Sequence, residues 1–119
     1  MKVTIRITNG FKTEAKPLLK KYRSLSKDLE KLQNQLLLTP QLGTSLGKNL
    51  YKIRLKISSK AQGKSGGARV ISFIETEVIG YAEKVSTEEI IVNFLSIYDK
   101  SEVSNISDKE LKDLIKNLK

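Results

Sequence analysis

Apolar and polar residues alternate along several short stretches of this chain, a period of two that is typical of β-strands burying one face. The first stretch covers residues 2–8, where Val3, Ile5 and Ile7 alternate with polar side chains. Three further strands are predicted in the second half of the chain, at residues 51–57, 68–78 and 89–98. The last of these is almost continuously apolar, as expected of a central strand covered on both faces.

Between the first predicted strand and the other three, the apolar residues have the spacing of α-helices. Apolar residues within 11–22 recur every three or four positions. Pro17 is acceptable there if it falls in the first turn, where amide donors lack helical partners. The same spacing continues within 25–36, with Ser24 or Ser26 as the N-cap. These two stretches predict an antiparallel helical hairpin.

The remaining segments are predicted to be connections and one short helix. Residues 40–49, which contain Pro, Gly, Ser and Thr, are expected to form a surface loop. The glycine- and lysine-rich residues 58–67 are expected to form a mobile basic hairpin tip. Ser107 and Glu110 have the spacing of a capping box ahead of an amphipathic helix over residues 111–118.

This order of elements predicts an α+β fold, β-α-α-β-β-β(-α), whose later strands form an antiparallel meander sheet. With 119 residues and 39% apolar content, the chain is expected to form a single domain over residues 1–119. The N-terminus alternates instead of forming an apolar signal-peptide core, and no apolar run approaches ~18 residues. We therefore expect a soluble, cytoplasmic protein.

Cysteine and histidine are both absent, which removes disulfides, thiolate chemistry, histidine-ligated metals and Ser-His-Asp triads. Any proton transfer must then use Lys, Arg, Tyr, Ser, Asp or Glu. Glu75 and Glu77 share a predicted strand face, but no third oxygen donor accompanies them. Solvated carboxylates are favoured over Mg²⁺ ligands, and we expect neither a metal nor a cofactor.

The net charge of +9 is concentrated in one part of the chain. Residues 31–74 contain eight basic and no acidic residues, whereas the remainder has 14 basic and 13 acidic residues. Such a tract is either a solvated surface or a surface for a polyanion, where each phosphate contact adds counterion-release energy.

Several cations of this tract are predicted to share a strand face. Lys52, Arg54 and Lys56 alternate with apolar residues, so all three point to one side. A solvent-facing strand kept soluble by lysines is the alternative, but the included arginine and the adjacent basic loop favour phosphate binding. Arg69 follows a glycine pair and opens the next strand. Its guanidinium either donates two hydrogen bonds to a phosphate or forms an ion pair with a carboxylate.

Three segments carry a family resemblance. They are the strand at 51–55, the stretch GKSGGARVI at 63–71 and the stretch IYDKSE at 97–102. Together with the order of elements, they resemble the RelE/ParE toxin superfamily, especially its HigB-type members, over almost the whole chain. The resemblance implies a RelE-like fold and a type II toxin that cleaves mRNA on the ribosome without metal. It also implies silencing by a partner antitoxin, expected to be a helix-turn-helix protein.

The resemblance also implies roles for individual residues. The expected catalytic residues are Lys52, Arg54, Lys56, Arg69 and Lys100, and the expected RNA- or ribosome-binding residues are Lys48, Lys60 and Lys64. Arg54 stands where RelE has a lysine as general base, and Ser101 stands where RelE has an arginine near the leaving group. Two alternatives remain open on the same fold: a ParE-like toxin that poisons gyrase without catalysis, and a degenerate RNA-binding protein without cleavage activity.

Overall fold

The computed structural model describes residues 2–59, 67–82, 85–101, 106–116 and 118. For residues 77–82 and 85–88 it describes the backbone only. In chain order the elements are β1 (Lys2–Ile7), α1 (Asn9–Lys21), α2 (Leu25–Leu38), β2 (Thr44–Gly47), β3 (Leu50–Leu55), β4 (Ala68–Ala82), β5 (Val85–Asp99) and α3 (Asp108–Lys116). Within the described residues the fold is α+β, with three helices and a five-stranded sheet.

The strands lie in the order β1-β5-β4-β3-β2. Strands β2 to β5 form an antiparallel meander, in agreement with the predicted pairing of the later strands. Strand β1 joins the sheet at its other edge and is parallel to β5, in a register from Lys2 opposite Glu89 to Ile7 opposite Phe94. The alternation in residues 2–8 carries no information on strand direction, so it does not predict this parallel pair.

Strand β2 corrects the prediction of a surface loop over residues 40–49. It pairs with β3, and Lys48 and Asn49 connect the two strands with φ angles of 53° and 66°. Two successive left-handed residues are typical of the type I′ turn, which matches the twist of a two-residue hairpin. The loop prediction was wrong because it depended on composition, and Lys-Asn is not one of the dipeptides that usually signal this turn.

Helix α1 carries Pro17 in its interior, which corrects the expected position in the first turn. The helix begins earlier than its apolar spacing indicates, because the hydroxyl oxygen of Thr8 accepts a hydrogen bond from the Phe11 amide at 3.2 Å. Pro17 is exposed and has no amide hydrogen to donate to the preceding turn. The buried residues Ala15 and Leu18 pack against the sheet and stabilise the helix across this position.

The two faces of the sheet have separate hydrophobic cores. Helices α1 and α2 cover one face, where the ring centroids of Phe11 and Phe94 lie 5.2 Å apart. Helix α3 packs on the opposite face, where Leu111 joins a cluster with Ile71 and Tyr98. The rest of this second face carries the polar residues of the candidate site.

The ends of α2 and α3 differ in how they are capped. At the start of α3 the predicted capping box is confirmed, because the Ser107 and Glu110 amides each donate to the other side chain at 3.2 Å. Ser24 occupies the N-cap of α2, but its hydroxyl donates to the Asp28 carboxylate at 2.7 Å instead of capping an amide of the helix.

No helix in the described part of the chain is long and apolar enough to cross a membrane.

Candidate anion-binding cleft

Strands β3 and β4 and the turn after β5 bring basic side chains together on the sheet face opposite the helical hairpin. Ile53 of β3 and Val70 of β4 pack beneath the hairpin, so the residues that alternate with them face the other way. Arg54 therefore lies directly opposite Arg69, and Arg69 lies opposite Tyr98. Residues opposite each other in an antiparallel pair are about 5 Å apart at Cβ, so the two arginines are close neighbours.

The two arginines border a cleft of about 340 Å³, which we call the cationic cleft. It is lined by Gly43, Thr44, Lys52, Arg54, Arg69 and Lys100. Four of these six residues are cations and none is acidic. Four of the five residues expected to be catalytic thus meet in one place, although they come from β3, β4 and the turn after β5.

Arg69 is the most enclosed cation of the cationic cleft, with 5% of its surface exposed. Its Nη1 donates to the carbonyl of Ala68 at 3.2 Å, which helps to orient the side chain. Burial lowers the pKa of the guanidinium, the charge of Arg54 lowers it further, and Tyr98 acts in the opposite direction. A phosphate bound between the two arginines would offset their repulsion and accept charge-assisted hydrogen bonds.

Two glycines allow close backbone approach around the cleft. Gly43 has a φ of +107°, and a Cβ on it would lie 2.6 Å from the carbonyl oxygen of Lys52. Gly67 has a φ of +83°, and a Cβ on it would lie 2.5 Å from the carbonyl oxygen of Leu55. Only glycine fits both the angle and the space. Gly67 belongs to the glycine-rich tip noted in the sequence, whereas Gly43 and Thr44 were missed because they fall in the predicted loop.

Lys100 reaches the cationic cleft from the turn that follows β5. Its amide donates to the carbonyl of Gly67 at 3.0 Å, which joins the end of β5 to the start of β4. The preceding residue, Asp99, is 2% exposed and accepts a hydrogen bond from the Tyr22 hydroxyl at 2.6 Å. The pairing of Asp99 with Tyr22 was not predicted from the sequence, since 77 positions separate the two residues and no local pattern relates them.

The other predicted site residues do not line the cationic cleft. Lys56 follows β3 and is exposed. Lys48 lies in the turn between β2 and β3 and borders a separate cavity together with Asp108 of α3. Lys60 and Lys64, the predicted contacts of the basic hairpin tip, lie outside the described residues.

The carboxylate of Glu75 is engaged by donors of the protein itself. It accepts a hydrogen bond from Asn93 Nδ2 at 2.8 Å and lies 4.0 Å from the guanidinium of Arg6. The side chain of Glu77 lies outside the described residues. Among the side chains that the structure describes, no group of three or more acidic residues is arranged to hold a metal ion.

Tyr98 lies between Arg69 of the cationic cleft and the hydrophobic cluster under α3. It is 8% exposed and packs in the same cluster as Leu111. Burial raises the pKa of its hydroxyl, while Arg69 lowers it and Glu110 raises it. Within the described residues this hydroxyl makes no hydrogen bond.

Four of the six described residues that line the cleft are cations, and cations from separate strands that face one cleft produce a positive potential that attracts anions. The buried guanidinium of Arg69 supplies planar donors that match a phosphate. No protein-family model matches this chain, and no curated protein matches it.

Proposed function

We propose that the cationic cleft binds the phosphate backbone of RNA and that the protein is a RelE-like toxin cleaving mRNA on the ribosome. The observation that carries the proposal is the convergence of Lys52, Arg54, Arg69 and Lys100 on one cleft. The segments GKSGGARVI and IYDKSE and the order of elements support the RelE-like assignment.

A polyanion fits this surface better than a small metabolite does. Small-molecule sites are usually enclosed and largely apolar, with a few polar groups that fix orientation. The cationic cleft instead combines cations from β3, β4 and the turn after β5. All of them except Lys100 belong to the tract of residues 31–74, which has no acidic residue. Phosphate groups in series can contact several of these cations at once.

The reaction we propose starts with attack of an RNA 2′-oxygen on the adjacent phosphorus. The bond between phosphorus and the 5′-oxygen breaks, which leaves a 2′,3′-cyclic phosphate and a 5′-hydroxyl. Arg54 and Arg69 stabilise the added negative charge of the transition state. Lys52 is the candidate base for the 2′-hydroxyl proton, and Lys100 is the candidate acid for the 5′-oxygen. Lys52 is preferred to Lys56 because Lys52 lines the cleft.

Arg54→Gln tests the proposal at the more exposed of the two cleft arginines. We expect the dissociation constant for single-stranded RNA to rise about tenfold or more, because a charge-assisted hydrogen bond to phosphate is lost. Growth arrest on expression should weaken in parallel, with an unchanged circular dichroism spectrum.

The matched control is Arg23→Gln, which removes the same charge from an exposed residue outside the cationic cleft. Equal effects of Arg54→Gln and Arg23→Gln on RNA binding would contradict a specific role for the cleft and leave only a general effect of net charge.

Sequencing mRNA ends after induction separates this proposal from its two alternatives. Cuts within codons on translating ribosomes support the nuclease. DNA damage without mRNA cuts supports a gyrase poison, and salt-sensitive RNA binding without cuts supports a degenerate binding protein.

The proposed partners are mRNA, the ribosome and a cognate antitoxin, with the cytoplasm as the proposed location. An antitoxin would cover the cationic cleft with acidic groups. A small helix-turn-helix protein encoded beside this chain, which co-purifies with it and blocks RNA binding, is the expected finding.

A further inference from the structure

We propose that Asp99 is a positioning residue that holds Lys100 in the cationic cleft, through hydrogen bonds with Tyr22 and Ser101. This inference rests on the proposed binding of RNA phosphate by the cleft. Asp99 does not line the cleft and lies on the side of α1, so its effect on RNA is exerted through the adjacent lysine.

Both carboxylate oxygens of Asp99 are used by neighbouring donors. Oδ2 accepts the Tyr22 hydroxyl at 2.6 Å and lies 3.9 Å from the ammonium of Lys21. Oδ1 accepts the amide and the hydroxyl of Ser101 at 2.9 and 2.7 Å. These bonds connect the C-terminal end of α1 to the turn that carries Lys100.

The backbone of Lys100 is therefore held on two sides. The bond from the Ser101 amide to the Asp99 side chain closes an Asx-type turn, with Lys100 at its centre. The amide of Lys100 donates to the carbonyl of Gly67 at 3.0 Å. Gly67 in turn packs so closely on Leu55 that no side chain fits there.

A carboxylate buried between a helix and a strand loses its hydration, which costs free energy of folding. Apolar residues of similar volume are often equal or better for stability, so a retained buried charge calls for a reason such as specificity of geometry. At Asp99 the geometry concerned is that of the Lys100 turn. Because polar catalytic contacts weaken sharply with displacements of about 1 Å, a relaxed turn would weaken the contact of Lys100 with phosphate.

Tyr22→Phe removes one oxygen from this network and leaves the Asp99 carboxylate in place. We expect the dissociation constant for single-stranded RNA to rise about fivefold. Ser101→Ala removes the second donor and should act in the same direction, so the test does not depend on one variant.

The matched control is Ser96→Ala. The Ser96 hydroxyl also joins β5 to α1, since it donates to Glu14 at 2.8 Å, but neither residue lines the cationic cleft. We expect RNA affinity to stay unchanged in this variant, even if its resistance to urea falls as much as that of Tyr22→Phe.

A double-mutant cycle with Lys100→Ala separates positioning from general loosening of the fold. If Tyr22 acts through Lys100, Tyr22→Phe has no further effect on RNA affinity in the Lys100→Ala background and keeps its full effect in the Arg54→Gln background. The inference is overturned if Tyr22→Phe lowers RNA affinity by the same factor in both backgrounds. It is also overturned if the Tyr22→Phe and Ser101→Ala proteins both bind RNA as tightly as the unaltered protein does.

Failure of the inference can be distinguished from failure of the proposed function. If Arg54→Gln weakens RNA binding while Lys100→Ala does not, the cleft binds RNA but Lys100 has no part in it, and the inference is overturned alone. If the unaltered protein shows no salt-sensitive RNA binding, both fail.

Discussion

Tyr98 and Tyr22 lie at opposite sides of the end of β5 and differ in the state of their hydroxyls. The Tyr22 hydroxyl donates to Asp99 at 2.6 Å, whereas that of Tyr98 is buried and makes no hydrogen bond within the described residues. A buried hydroxyl without a partner loses its hydration and gains nothing in return. The same substitution by phenylalanine should therefore have opposite effects at these two residues.

We predict that Tyr98→Phe raises the free energy of unfolding at pH 7 by about 1 kcal/mol, because it removes an unsatisfied polar atom without leaving a cavity. Urea denaturation measures this change. Tyr22→Phe is the matched comparison and should lower the free energy of unfolding by about 1 kcal/mol. A destabilised Tyr98→Phe protein would show that its hydroxyl has a partner.

Comparison of the unaltered protein with Tyr98→Phe should also reveal how the Tyr98 hydroxyl makes the free energy of unfolding depend on pH. The pKa of Tyr98 is raised above its ordinary value of 10.0, so above that pH the unfolded chain loses the proton while the folded chain still holds it. The unfolded state then binds fewer protons, and stability falls as pH rises from about 10 through the raised pKa. Tyr98→Phe should flatten this alkaline loss in urea titrations.

Individual site residues were predictable where a local pattern placed them. The alternation of polar and apolar residues along β3 predicted that Lys52 and Arg54 share one face of the sheet. The two glycines shortly before Arg69 indicated that a phosphate could approach its guanidinium closely. The same alternation included Lys56, which follows the end of β3 and does not line the cleft. Asp99 was not predictable, because its role depends on a contact with the end of α1 that no local pattern encodes.

At the scale of elements, a second buried carboxylate joins helix α2 to the segment after β3. Asp28 is 5% exposed and accepts hydrogen bonds from the hydroxyl of Ser58 at 2.6 Å and its amide at 3.0 Å. The Ser24 hydroxyl adds a third bond at 2.7 Å. Burial raises the pKa of Asp28, but the bonds from Ser58 and Ser24 together lower it below 3.8.

We predict that Asp28→Asn lowers the free energy of unfolding at pH 7 by about 1–3 kcal/mol, because three donors lose a charged acceptor. The lowered pKa means that this contribution is present above pH 3.8 and is lost as pH falls through the folded value. The difference between wild type and Asp28→Asn should therefore shrink below that pH in urea titrations.

The exposed Glu30 on the same helix provides the control, since Glu30→Gln removes a carboxylate that faces solvent. Its free energy of unfolding should change by no more than about 0.5 kcal/mol. Equal losses for Asp28→Asn and Glu30→Gln would mean that net charge, and not the bonds to Ser58, accounts for the effect.

Among the elements, the helices and the three later strands were predictable because their apolar periodicity is long and regular. Strand β2 was not, since a four-residue edge strand has too few positions for a pattern and its turn depends on two left-handed residues. The position of Pro17 inside α1 also escaped prediction, because packing of Ala15 and Leu18 outweighs the local preference of proline.

At the scale of the whole molecule, the separation of charge along the chain determines how binding should respond to salt. The four cations of the cleft belong to a protein whose net charge is +9. If each cation contacts one phosphate of a single strand, the logarithm of the association constant falls with that of salt concentration with a slope of about −3.

Fluorescence anisotropy with a labelled RNA at several salt concentrations measures this slope. Arg54→Gln should make it shallower by about 1, and Arg23→Gln should leave it nearly unchanged. A slope near zero for the unaltered protein would contradict binding through the cationic cleft.

The parallel pairing of β1 with β5 has a consequence for the order of events in folding. Strand β1 cannot join the sheet until residues 89–94 have been synthesised, because each residue of β1 pairs with one 87 positions later in the chain. Contacts so distant in sequence close slowly, since the intervening chain must first be ordered. Lys100 lies later still in the sequence, so a nascent chain that has not yet reached it has an incomplete cationic cleft.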